Sequence, residues 1–120
     1  MSRAALRALG ALDLDVAAEL HGLAFEPFGE RTWTRQEFAE LLASPGVAGV
    51  LLTCDGAPAG FGLYRVVADE AELLTIAVDR GFRRRGLATR ILNAIVDGFG
   101  AEVRSLYLEV EAVDNGVQYA

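Results

Sequence analysis

The stretch VDRGFRRRGLATRIL, Val78 to Leu92, decides the fold. The run EAELLTIAV (70–78), rich in strand-forming residues, leads into it, and Leu87, Ile91, Ile95 and Phe99 then recur at helical spacing. A strand, a glycine-containing loop and a helix in succession make a geometry that binds phosphate. The first turn of a helix has backbone N–H groups without intrahelical partners and the positive end of the macrodipole. A glycine keeps side-chain bulk away from those amides, and neighbouring arginines add planar, charge-assisted donors. Here the order is Arg83, Arg84, Arg85, Gly86, Leu87, Ala88, with the Thr89 hydroxyl in the first turn. Leu87 opens the apolar stripe, so it should point into the core and anchor the turn.

The stretch is a charge anomaly. The chain has 17 acidic and 11 basic residues, a net charge of −6, yet Arg80, Arg83, Arg84, Arg85 and Arg90 all fall here. On composition alone an arginine run also suits a solvated face. A nucleic-acid surface is disfavoured because no basic surface interleaved with aromatics continues elsewhere. A dinucleotide fold is poorly supported, since G-x-G-x-x-G is absent and the preceding strands read as antiparallel. The acidic balance better fits a basic partner or a cationic amine.

The remaining composition narrows the chemistry. A length of 120 residues predicts one domain over 1–120. No apolar run approaches the ~20 residues of a membrane span, and acidic residues interrupt MSRAALRALGALDLD before a signal-peptide pattern develops. A cytoplasmic protein without membrane partners is the expectation. Cys54 is the only cysteine, which excludes an internal disulfide, and its apolar surroundings mark it as a buried small hydrophobe. His21 is the only histidine, so sites built on several His or Cys ligands are excluded and no metal is expected. No lysine occurs, which removes Schiff-base chemistry and the P-loop lysine.

Working outward, residues 3–9 read as a short strand. Asp13 is placed to cap a helix with Val16, Leu20 and Leu23 on one face. GLAFEPFGER reads as a loop broken by Gly22, Pro27 and Gly29. In TWTRQEF, Thr34 and Glu37 have capping-box spacing, and Trp33 and Phe38 that of a hydrophobic staple. Ser44-Pro45-Gly46 ends that helix. VAGVLLTC (47–54), a turn at Asp55-Gly56, and AGFGLYRVV (59–67) form a hairpin, and Ala68-Asp69 turns into 70–78. VRSLYLEV (103–110) is a further strand, and DNGVQYA reads as the beginning of a helix. The order β-α-α-β-β-β-α-β predicts a layered α/β fold, with a mostly antiparallel mixed sheet flanked by helices.

The passage DEAELLTIAVDRGFRRRGLATRIL resembles the GCN5-related N-acetyltransferases, the GNAT superfamily. That family's acyl-coenzyme A motif, Gln/Arg-x-x-Gly-x-Gly/Ala, is matched by Arg83, Gly86 and Ala88. IAVD before the loop and LEV in the following strand resemble its RimI-type branch, which acetylates ribosomal-protein alanine N-termini. The resemblance runs from about Leu12 to Asn115 and is specific over 69–110. It implies the acyl-CoA N-acyltransferase fold and acetyl-CoA as co-substrate. It also implies a protein N-terminus, in that branch a ribosomal protein's, as acceptor. The alternatives left open are a small-molecule amine acetyltransferase and a catalytically incomplete acyl-CoA-binding module.

By the same resemblance, the strand before the loop splays from its neighbour, and the backbone of Ile76, Ala77 and Val78 pairs with the pantetheine arm. The amides of Arg83 through Ala88 hold the pyrophosphate, and Asn115 touches the cofactor, one residue later than the pattern has it. The general base is Glu109 in YLEV. Glu72, and less so Glu70, are implied as rivals, because many members of the superfamily place the base on the strand before the loop; strand alternation, which lines positions 72, 74, 76 and 78 on one face, would partly bury Glu72. The Val78 N–H is implied to stabilise the oxyanion. The segment from Phe25 to Arg31 falls at the acceptor entrance, with Tyr64 and Tyr107 candidates for its lining. The tyrosine that serves as general acid would lie beyond Ala120, and Tyr119 is too close to Asn115 to replace it. The closing strands are absent too, so the chain is expected to be C-terminally truncated.

Overall fold

Two tight turns lay three strands side by side. In the computed structural model, which describes residues 3–29, 31–82, 85–107, 112–114 and 117–119, β2 is Val47–Cys54 and β3 is Ala57–Val67. Asp55 (φ 51°) and Gly56 (φ 86°) between them both take the left-handed conformation that a two-residue hairpin turn requires. A second turn, with Ala68 at φ 55°, leads into β4, Glu70–Val78, antiparallel to β3. Strand β1, Ala4–Ala8, pairs antiparallel with β2. From β4 the chain crosses through a helix, Leu87–Asp97, to β5, Ser105–Tyr107, which lies parallel to β4 at Glu70–Glu72. Two short strands follow: β6, Ala112–Asp114, parallel to β4, and β7, Val117–Tyr119, antiparallel to β6. The described residues thus form one seven-stranded sheet; its mixed, mostly antiparallel character is as expected, whereas the element order read from sequence has five strands.

Helices cover both faces. α1 (Leu14–Phe25) and α2 (Arg35–Ala43) pack with Leu51, Phe61, Leu63 and Ala77 on one side. The crossover helix, α3, buries Leu87, Ala88, Ile91 and Ile95 against Leu52, Leu73, Ile76 and Val78 on the other. Its close seat needs glycine in β3. A Cβ on Gly60 would lie 2.8 Å from Ala77 O, and one on Gly62 2.8 Å from Ile91 Cγ2 and 2.9 Å from Ile95 Cδ1. Cys54 is buried and free, as expected.

Three local expectations are corrected. The buried stripe of α1 is Leu14, Ala17, Leu20, His21, Ala24 and Phe25, while Leu23 is 48% exposed. Small alanines take the sheet-facing positions because they let the helix approach closely. The helix also runs through Gly22 to Phe25, and a 3₁₀ turn, Glu26–Phe28, continues it to Gly29 at φ 74°. One glycine inside a helix costs about 1 kcal/mol relative to alanine, less than the ~1.5–3 kcal/mol from burying Phe25. Asp13 occupies the N-cap position, but its carboxylate turns back to accept from Arg7 Nη1 and Nη2, each at 2.8 Å, and from Gly10 N–H at 2.8 Å.

The capping box of α2 forms as read: Glu37 N–H donates to Thr34 Oγ1, and Thr34 N–H to Glu37 Oε1, both at 3.1 Å. The staple forms too, with Trp33 and Phe38 ring centroids 5.4 Å apart. His21 sits between these helices, stacked on Trp33 at 4.8 Å, its Nδ1 accepting the Trp33 backbone N–H at 3.2 Å. Burial first, and then the Arg31 charge, hold its pKa down to about 4. Hydrogen bonds from Arg7 and Gly10 hold Asp13 down to about 2.

These two groups predict a two-stage loss of stability in acid. The unfolded chain protonates its histidine near pH 6.5, so stability falls from about pH 6.5 toward pH 4 as the buried neutral His21 resists the proton. That stage is worth roughly 3 kcal/mol. The Asp13 contribution is present above the unfolded carboxylate's pKa near 4 and disappears as pH falls from there through about 2. Urea midpoints measured from pH 7 to pH 2.5 would show both stages, and His21→Phe should flatten only the upper one.

A bulge in β4 changes its faces. The pairing passes from Leu63↔Thr75 to Tyr64↔Leu73, so Leu74 is an extra residue without a counterpart on β3. Leu74 packs with the α1–α2 core, whereas Leu73, Ile76 and Val78 belong to the α3 side. The expectation that 72, 74, 76 and 78 share one face is therefore corrected. Glu72 pairs with Arg65, two residues from Leu63, and faces the α1–α2 side.

The segment 112–119 is also corrected. Where the beginning of a helix was expected over 114–120, Ala112–Asp114 and Val117–Tyr119 are antiparallel strands with Asp114 opposite Val117. Asn115-Gly116, the two residues between, is the dipeptide that favours such a connection, and its valines and tyrosine suit strands.

Candidate active site

The junction from β4 to α3 is built from backbone. Asp79 N–H donates to Ala59 O at 2.7 Å, tying the end of β4 to β3. The Asp79 carboxylate accepts from Gly81 N–H at 3.1 Å, and Phe82 N–H donates to Asp79 O at 2.9 Å, closing a 3₁₀ turn over Arg80–Phe82. The Arg85 guanidinium then lies 5.3 Å from the Phe82 ring centroid, a cation–π contact that holds it beside the loop. Gly86 is the N-cap of α3 at φ 70°, ψ 23°, and among the described residues, its chain neighbours apart, no atom lies within 4 Å of where a Cβ would project. Arg90 N–H closes the first turn on Gly86 O at 3.2 Å, and buried Leu87 and Ala88 anchor it while Thr89 faces outward. A left-handed glycine, open space before it and a helix N-terminus together suit a polyanion. Arg83 and Arg84 lie outside the described residues.

The β4 edge departs from the open arrangement that the resemblance implies. Ile76 pairs with Ala112 and Ala77 with Val113, so β6 lies along this edge, while Val78 pairs with Gly60 on the other side. Glu109 and Asn115 lie outside the described residues, and of Tyr119 only the strand backbone is described.

At the opposite end of β4, Glu70, Glu72, Arg65 and Tyr107 line a cleft of about 350 Å³. Glu72 faces Arg65 Nη1 at 3.8 Å, its side chain 41% exposed, and Tyr107 Oη donates to Glu70 Oε1 at 3.4 Å. Tyr64, a candidate for the acceptor side, instead packs edge-on against Phe99 at 5.6 Å. A larger cleft, about 690 Å³, opens between the end of α1 and the loop after β4, lined by Gly22, Leu23, Glu26, Pro27, Asp79, Arg80 and Gly81. It brings the expected entrance segment, Phe25 to Arg31, against Asp79, a residue that sequence reasoning passed over. Its position immediately after a strand and before a helix-capping loop was the available signal.

The family model described as the acetyltransferase (GNAT) family matches residues 14–118, which contain this junction. The chain belongs to the GNAT acetyltransferase family. As a GNAT chain it is an acyltransferase of a family whose acetyltransferases use acetyl-CoA. It is 35% identical over 106 residues to the [ribosomal protein bS18]-alanine N-acetyltransferase of Salmonella typhimurium (strain LT2), covering 87% of this chain and 68% of that protein. The protein of the same description from Escherichia coli (strain K12) is 34% identical over 87 residues, 72% of this chain and 55% of its own length. The GNAT chain thus spans between about half and two thirds of these relatives. The crystal structure of the Escherichia coli ribosomal-protein-S18-alanine N-acetyltransferase superposes with a TM-score of 0.79 at 30% identity, covering 91% of this chain and 68% of that one. Among the described residues no helix is long and apolar enough to cross a membrane.

Proposed function

We propose that this GNAT chain transfers an acetyl group from acetyl-CoA to the amine at a protein N-terminus, with a ribosomal protein as the favoured acceptor. The observation that carries the donor half is the junction at Gly86, where a left-handed glycine with open space in front caps α3 beside Arg85. The loop from Arg83 through Ala88, with the Thr89 hydroxyl, would hold the pyrophosphate. The backbone of Ile76 and Ala77 would align the pantetheine arm, and Asn115 would add a contact. When bound, acetyl-CoA supplies an activated thioester, and the chain's own groups orient the acceptor and move its proton.

The acceptor enters by the cleft between α1 and Asp79. Glu26 and Asp79 outnumber Arg80 in the lining, which leaves that opening net acidic and suited to an ammonium group, and Leu23 and Pro27 give it an apolar wall. Glu109 is the proposed base, with Glu72 its rival.

Calorimetric titration with coenzyme A tests the donor half. Binding is expected, and Gly86→Val should weaken it by about tenfold or more, because a β-branched side chain both strains a left-handed position and fills the space a phosphate needs. A folded chain without coenzyme A affinity would overturn the reading. Thiol release with an Ala-starting peptide, set against a panel of small amines, tests the acceptor half. Turnover confined to the amines would make the chain a small-molecule acetyltransferase, and binding without turnover of either would make it a binding module.

A further inference from the structure

We propose that Gly22 is a specificity-determining residue: its missing side chain leaves room for the second residue of the acceptor peptide to lie against the backbone of α1. The inference rests on the acceptor reading above, in which the amine enters between α1 and Asp79. Gly22 lines that cleft with Leu23 and Glu26, at the C-terminal end of α1 and in the 3₁₀ turn that continues it. A glycine inside a helix lowers helix stability, so its presence there calls for a reason. Among the described residues neither conformation nor packing supplies one. Gly22 does not take a left-handed conformation, and its carbonyl accepts the Glu26 N–H as in any helix. Its chain neighbours and the helix backbone apart, a Cβ on Gly22 would meet only Thr32 Cγ2 among the described residues, at 3.9 Å, an ordinary contact. Gly60 and Gly62 differ, since a Cβ at either would strike an atom at 2.8 Å.

The size and lining of the cleft say what that gap admits. Its volume, about 690 Å³, is far more than the methyl group of an N-terminal alanine fills, so the following residue shares it. Leu23, 48% exposed, and Pro27 offer that second side chain an apolar wall. Gly22 brings helix backbone, rather than a side chain, to the same surface. Glu26 lies one helical turn beyond Gly22, and with Asp79 it outweighs Arg80, which suits the ammonium end of the same peptide. The occupant is therefore a peptide N-terminus whose second side chain is apolar.

Two peptides that start Ala-Leu and Ala-Gly and are otherwise identical test this by calorimetry, with and without coenzyme A. The unmodified chain should bind the Ala-Leu peptide about fivefold or more tightly, and in Gly22→Leu the two affinities should agree within about twofold. A preference that Gly22→Leu leaves intact, as a loss shared equally by both peptides would, overturns the proposal. Where Gly22→Leu folds poorly, Gly22→Ala decides instead. Its preference should be about half that of the unmodified chain or less, and its Tm should rise by about 3–6 °C because only helix propensity changes. An undiminished preference, or a fall in Tm that makes the glycine a requirement of the fold, overturns the proposal. Equal binding of both peptides by the unmodified chain overturns it too but leaves the acceptor reading standing. A folded chain that binds neither peptide removes the acceptor reading and this inference together.

Discussion

Glu109→Gln is expected to lower kcat for acetyl transfer by about 10²–10⁴-fold, with little change in coenzyme A affinity. The acceptor amine is a cation at neutral pH and attacks only after losing a proton, so the step requires a group that accepts one. Glutamine keeps the shape and most of the hydrogen bonding of glutamate but cannot take the proton. Glu72→Gln should have much the smaller effect, because the Glu72 carboxylate already faces the Arg65 guanidinium at 3.8 Å beside the smaller cleft. The pH dependence of kcat supplies a second reading: the acidic limb should vanish in the variant that removes the base and persist in the other. The opposite pattern would place the base on β4.

Phe38→Ala is expected to destabilise the fold by about 3–5 kcal/mol, enough to lower Tm by roughly 10–20 °C. Phe38 has no exposed surface and touches three rings: Trp33 at 5.4 Å, Phe61 at 5.5 Å and His21 at 5.7 Å. It is the side chain through which α2 meets both α1 and the sheet, so truncation leaves a cavity that three rigid aromatic groups cannot close. Phe38→Leu should retain most of the stability, since volume-conserving exchanges cost less. A loss below about 1 kcal/mol for Phe38→Ala in urea titration would mean that the helices collapse onto the gap.

Features that depend on near neighbours were legible in the sequence. The Thr34–Glu37 box, the Trp33–Phe38 staple and the Asp55-Gly56 turn each need only four or five residues, and each forms. The crossover stripe of α3 was equally plain, because one face is apolar and the other is not. The bulge at Leu74 was not legible: EAELLTIAV is apolar on both sides in its latter half, so a shift of register leaves no trace in the pattern. The α1 stripe was read in part, Leu20 and the half-buried Val16 correctly and Leu23 not, because several of its core positions are alanines, whose value lies in close approach rather than in apolar area. At 112–119 the strand-favouring valines and the Asn-Gly dipeptide were present, but an expected helix outweighed them. The strand–glycine–helix junction was readable as residue types, whereas β6 along the Ile76–Ala77 edge depends on pairing between positions about 36 residues apart, which local pattern does not encode.

The bare backbone of β3 at Gly60 and Gly62 has a practical consequence for redesign. α3 rests on these two positions through Ile91 and Ile95, and the same helix presents Gly86 at its leading end. The position of Gly86 is therefore adjustable from beneath: trimming Ile91 would let the helix settle, and a methyl group at Gly62 would lift it. A designer wishing to retune the proposed donor site can leave the arginine–glycine loop untouched and alter the floor under the helix.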